Sequence, residues 1–136
     1  MNLILLEAGE IDATGAARLT GPRAVHALEV LKVSAGQSLR VGLVEGPRGT
    51  ATVQTTDRGS VDLICALESS IPERPRVDLL LAVPRPKVMR RLWAQLAALG
   101  VGRIVLTNAE RVERPYFDTH VLREDCYRPL LIEGLQ

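Results

Sequence analysis

The chain has 136 residues, 46% hydrophobic and 24% charged, which provides apolar material for one ordinary packed domain or two small ones and excludes a disordered polymer. It lacks any apolar run of about 18 residues, and the opening Met1 to Leu6 meets Glu7 and Glu10 without a basic leader; both features argue against a membrane-spanning helix and a signal peptide. The net charge of +1 hides an asymmetry: residues 74–114 hold nine Lys or Arg against three Asp or Glu, a local +6, and the remainder is at −5. Fifteen of the seventeen basic residues are arginine, a side chain suited to bidentate phosphate contacts. Cys65 and Cys126 lie far apart in sequence and read as free thiols of a cytoplasmic protein.

In chain order, Asn2 to Leu6 is a short apolar run, and Ala8 to Thr20, small and polar with two glycines, reads as a loop. Thr20 as a cap and Pro22 in a first turn open a helix expected to reach Val33, with Val25, Leu28 and Leu31 on its buried face. Residues 39–43, 51–55 and 61–67 alternate with period two and are joined by glycine-containing turns, which predicts a small antiparallel barrel or curled sheet. The Pro-bearing stretch 69–75 has linker character, so the expected domains are 1–70 and 71–136.

The second domain is organised around one βαβ unit. Apolar runs at 77–83 and 103–107 flank a segment of helical period that should begin near Pro86 or Lys87 and stop at Gly100. Val88, Leu92, Leu96 and Leu99 form the expected buried stripe, with Met89 and Trp93 at its border and Arg90, Arg91 and Gln95 opposite. A parallel pair implies a right-handed crossover and membership of a larger sheet, so this unit reads as the start of one. Residues 108–115 then form a charged loop at a strand's carboxyl end, where open α/β sheets place ligands. The segment 119–136 is compatible with a helix interrupted at Pro129, and the chain stops inside that element.

Gly100-Val101-Gly102 ends a helix and opens a strand, the reverse of a phosphate-binding glycine loop. Trp93, at helical spacing among leucines, reads as core or interface rather than as a base-stacking platform. Neither His26 nor His120 has a partner at metal-ligand spacing, and no Ser-His-Asp or Cys-His arrangement can be assembled. Arg85, Lys87, Arg90 and Arg91 put four cations within seven residues near one helix end, which either binds phosphate or is a solvated face.

The segment Arg23-Ala24-Val25-His26-Ala27-Leu28-Glu29-Val30-Leu31-Lys32, followed by Gly36 and Leu39-Arg40-Val41-Gly42, resembles the opening domain of the RsmE family, with Gln37 where an aspartate is usual. The second part is similar to the same family: a strand ending in proline and basic residues, a helix closing in Leu99-Gly100-Val101, a strand, then Glu110-Arg111-Val112. The resemblance implies an α/β protein made of a small PUA-like β-barrel domain and the first half of a SPOUT methyltransferase domain. It implies methyl transfer from S-adenosylmethionine to N3 of a uridine in 16S ribosomal RNA. Half of an α/β sheet leaves apolar surface and a strand edge unpaired, so a homodimer is the expected assembly. Arg23, His26 and Lys32, with the cluster at 85–91, become RNA-contact candidates, and Arg111 an orienting residue beside the active centre; salt bridging within the loop is the alternative for Arg111. Family members continue through a Gly-Pro-Glu-Gly type loop and a knotted cofactor-binding segment that nothing here matches. An RNA-binding module without catalysis and an inactive, self-associating fragment are therefore the rival expectations.

Overall fold

The computed structural model of the protein describes residues 3–73 and 76–136, arranged in two compact units, Met1–Pro72 and Glu73–Gln136. Asn2, of the first apolar run, and Arg74 and Pro75, of the expected linker, lie outside the described residues.

The first unit is a curled five-stranded sheet in which β1 (Leu3–Leu6), β2 (Ala16–Thr20), β3 (Ser38–Leu43), β4 (Arg48–Asp57) and β5 (Ser60–Leu67) run in the order β1-β3-β4-β5-β2. The three predicted strands are its centre and pair antiparallel, while the first apolar run is a fourth strand, parallel to β3 with Ile4 opposite Val41. The expected loop 8–20 is overturned in part. It contains a short 3₁₀ turn, Ala8–Glu10, and then β2, whose alternation of buried Ala17 and Leu19 with exposed Arg18 and Thr20 was too short and too small to stand out. Between Val53 and Thr55 the β4–β5 register shifts, a bulge that leaves Gln54 unpaired and bends the strand. Leu6, Leu19, Val41, Val53, Val61 and Leu63 are fully buried and form the centre of the core.

The helix expected to Val33 is shorter and of two kinds. α1 (Gly21–Val25) passes into a π-helical turn, His26–Val30, closed by a Leu31 N–H bond to the His26 carbonyl at 3.0 Å. The wider turn moves the phase, so Ala24 and Ala27 are buried, Leu28 and Leu31 pack beside them, and Val25 is solvent-exposed rather than part of the apolar face. Lys32 then takes a left-handed conformation, φ +51°, the place where glycine usually ends a helix.

The second unit contains β6 (Asp78–Ala82), α2 (Pro86–Ala98) and β7 (Arg103–Thr107), with the strands parallel and Leu80 opposite Val105. Gly100 at φ +75° closes α2 as expected. The buried stripe is rotated from the predicted one: Met89, Trp93, Leu96 and Ala97 are inside, Val88 and Leu92 are half-buried, and Leu99 is exposed. The reason is α3 (Glu124–Leu135), which packs on α2 so closely that a Cβ on Gly134 would stand 2.0 Å from the Ala94 carbonyl oxygen. Met89, Trp93 and Val121 form the centre of this core, with Leu81, Ile104, Leu106, Tyr127, Leu130 and Leu131 around them. Pro129 does not interrupt α3; it lies within the helix on the solvent side, where the carbonyl that loses its N–H partner can bond to water. The other sheet face carries Leu80 and Val105, 70% and 44% exposed.

Candidate nucleic-acid interface

In the first unit the three candidates sit on one short stretch but do different work. Arg23, the third residue of α1, is half-buried and turned inward; its guanidinium forks onto the Glu10 carboxylate and also donates to the Leu5 carbonyl at 3.0 Å. The hydrogen bond from Arg23 holds the Glu10 carboxyl below the usual carboxylate range, and the same pairing raises Arg23. Arg23 thus ties α1 to the 3₁₀ turn and to β1, leaving less of its fork for a ligand. His26 and Lys32 are exposed, His26 at the start of the π turn and Lys32 two residues beyond it. Such turns and left-handed non-glycine residues recur at functional sites, where local strain is retained because a side chain must be aimed.

A second polar constellation in this unit was not anticipated. Arg18 on β2 forks onto Asp62 on β5, and Thr55, beside the bulge, donates its hydroxyl to the same carboxylate at 2.7 Å. These bonds hold Asp62 down at a pKa of about 2. Together with Gln54 they line a shallow, open groove that also includes Glu10 and Asp12. Their anionic excess makes this the poorer of the first unit's surfaces for a polyanion.

In the second unit the geometry is more pointed. α2 starts with Pro86, and Lys87, Arg90 and Arg91 follow at the i, i+3, i+4 spacing that puts them on one exposed face, opposite Met89 and Trp93. No acidic residue lies between 79 and 109, and none lies in the first turn of α2. Cations near a helix N-terminus oppose the macrodipole, at roughly 0.3–1 kcal/mol each when exposed, so this arrangement does not serve the helix itself. An anionic partner would relieve it.

Because β6 and β7 are parallel and in register, the loops after them leave from the same end of the sheet. Arg85 lies three residues beyond β6, while Arg111 lies in the solvent-exposed turn that the Val112 N–H closes on the Ala109 carbonyl, four beyond β7. The structure adds Glu113 and Tyr116 at this end: the Tyr116 hydroxyl donates to Glu113 at 2.7 Å, with Arg85 nearby. The sequence signal was present, as an i, i+3 Glu–Tyr spacing in a chain with four aromatic residues, but two residues so far from Arg85 reveal no partnership until the fold is known. His120 is exposed within a short 3₁₀ turn, His120–Leu122. Trp93 is core, 6% exposed, with its indole N–H on the Val121 carbonyl at 3.0 Å and its ring centroid 5.2 Å from that of Tyr127. Among the described residues no helix is long and apolar enough to cross a membrane, and Cys65 and Cys126 are free.

No protein-family model matches the chain. Across its whole length the chain is 31% identical to ribosomal RNA small subunit methyltransferase E of Treponema pallidum, of which it covers 52%, and 23% identical to ribosomal RNA small subunit methyltransferase E 1 of Borreliella burgdorferi, of which it covers 57%. Among solved structures, a probable rRNA-methyltransferase from Porphyromonas gingivalis matches 97% of this chain and 54% of its own length, at 27% identity and a TM-score of 0.68. The chain therefore spans about half the length of the relatives it matches, and over that span its resemblance to the RsmE family is borne out.

Proposed function

We propose that this chain is the RNA-recognising part, with the opening half of the catalytic domain, of a methyltransferase that carries a methyl group from S-adenosylmethionine to N3 of a uridine in 16S ribosomal RNA. The observation that carries the reading is the match over all of this chain to ribosomal RNA small subunit methyltransferase E of Treponema pallidum. In this reading residues 1–70 are a PUA-like RNA-binding domain and residues 71–136 begin a SPOUT domain. His26 and Lys32 contact RNA from the first, with Arg23 bracing the helix that presents them. Lys87, Arg90 and Arg91 contact phosphates from α2, with Arg85 beside them, and Arg111 orients substrate at the strand ends. The small ribosomal subunit, or its naked RNA, is the partner, met in the cytoplasm by a homodimer.

Methylation at N3 demands that the base be turned out of any pairing, held in line with the donor methyl and relieved of its N3 proton. The residues present favour the first two demands through cationic positioning. The carboxyl ends of β6 and β7 present the exposed Arg85 and Arg111, where a sulfonium cation would meet like charge. Cofactor binding is accordingly assigned to the half of the relatives that this chain does not span.

The test uses the fact that a methyl on N3 blocks base pairing and stops reverse transcriptase. In cells lacking the gene for this chain, 16S RNA should lose a stop at one uridine, and restoring the gene should bring it back. An unchanged stop pattern would refute the assignment.

A further inference from the structure

We infer that Phe117 is a stacking platform for an unpaired RNA base, so that the surface at the carboxyl ends of β6 and β7 takes single-stranded RNA and not a closed duplex. The inference rests on the RNA-binding reading above and narrows its substrate class.

Three observations converge on Phe117. Phe117 is 39% exposed although it follows directly on Tyr116, in a chain whose single tryptophan, Trp93, and neighbouring Tyr127 are drawn into the core. The backbone of its turn is tied: the Phe117 N–H closes the 3₁₀ turn Arg114–Tyr116 by bonding to the Arg114 carbonyl at 3.1 Å, and the Tyr116 hydroxyl donates to Glu113 at 2.7 Å with Arg85 nearby. The parallel register of β6 and β7 brings this turn to the same end of the sheet as Arg85, the residue just before α2, and α2 carries the exposed Lys87, Arg90 and Arg91.

The chemistry this provides is that of single-strand recognition. A cationic track binds the backbone while an aromatic face stacks on a base, and stacking tolerates any base because each has a π face. The turn itself, with Glu113, Arg114 and Asp118, has no cationic excess, so it contributes the ring and leaves phosphate binding to α2. A duplex hides its bases from such a ring, whereas a splayed strand offers them.

The experiment measures binding of a labelled oligouridine and of a labelled duplex of equal length, over a range of salt, for the wild type and for F117L, F117A and F117Y. F117L keeps apolar bulk at the turn and guards against misfolding. Loss of stacking should weaken oligouridine binding about 5- to 150-fold in F117L and F117A, with the salt slope and the duplex affinity unchanged, and F117Y should bind like the wild type. If the wild type binds oligouridine with a salt-dependent affinity that F117L retains in full, the RNA reading stands and the platform is refuted. If the wild type binds neither RNA, both fall.

Discussion

Arg23 and Glu10 are locked together by a two-pronged ion pair that joins α1 to the turn after β1, and Arg23 also donates to the Leu5 carbonyl. A residue whose place in the sequence suggested RNA contact is thereby given a bracing role, and its charge is balanced before any ligand arrives.

This pairing sets a pH dependence. Glu10 and Asp62 both have lowered folded-state pKa values, caused first by the hydrogen bonds from Arg23 and Arg18 respectively, and that of Asp62 is about 2. Carboxylates lowered on folding stabilise the protein above their unfolded value, near 4, and that stability is lost as pH falls through the folded value. Urea midpoints should therefore drop between about pH 4 and pH 2, and D62N together with E10Q should flatten the drop. Added salt should reduce the Asp62 share most, because that pair is solvent-exposed. A parallel decline in the double variant would show that other carboxylates govern acid stability.

Trp93 supports a second expectation. W93F keeps an aromatic ring but removes the donor to the Val121 carbonyl, leaving a buried acceptor unsatisfied at a cost of about 1–3 kcal/mol. Equilibrium unfolding of the purified protein reads this directly. A change under about 0.5 kcal/mol would mean that water replaces the indole or that the bond is unimportant.

How much of this was legible beforehand differs by element. The βαβ unit was readable because β6 and β7 are continuous apolar runs and α2 has Pro86 and Gly100 at its ends, signals that arise within a few residues. The buried face of α2 was misplaced by about one residue because α3 covers it, and neither the Gly134–Ala94 approach nor the Trp93–Val121 bond leaves a trace in local periodicity. β2 escaped notice since Ala17 and Leu19 alternate for only one period, and a strand that short is defined by its partner β5. The cationic cluster on α2 was evident from spacing alone. Its connection to Tyr116 and Glu113 depends on the parallel register of two strands and could not be read from sequence.

Lys32 allows stability and binding to be separated. Glycine suits φ +51° better than lysine, so K32G should leave stability unchanged or raise it by up to about 1 kcal/mol. If the side chain contacts RNA, the same substitution weakens binding and lowers the salt slope by roughly 0.7–0.9, one phosphate contact's share. A K32G protein with undiminished RNA affinity would remove Lys32 from the interface.

The exposed Leu80 and Val105 and the unpaired edges of the two-stranded sheet favour self-association of the chain as given, and the exposed Arg85 and Arg111 at the strand ends disfavour a sulfonium cofactor. Light scattering should give a dimer mass, and calorimetric titration with S-adenosylmethionine should show no micromolar binding. A monomer at every concentration would contradict the first expectation, and a micromolar Kd the second.

The claim on which the functional account turns is that the Lys87, Arg90 and Arg91 face of α2 meets RNA. Its most direct test is the salt dependence of binding to a 16S RNA fragment by the R90A/R91A protein, since both side chains are exposed and their loss leaves the core intact. Two missing phosphate contacts should lower affinity for all RNA sequences alike and reduce the slope of log K against log salt by about 1.4 for single strands. Parental affinity with an unchanged slope would show that this face is only solvated.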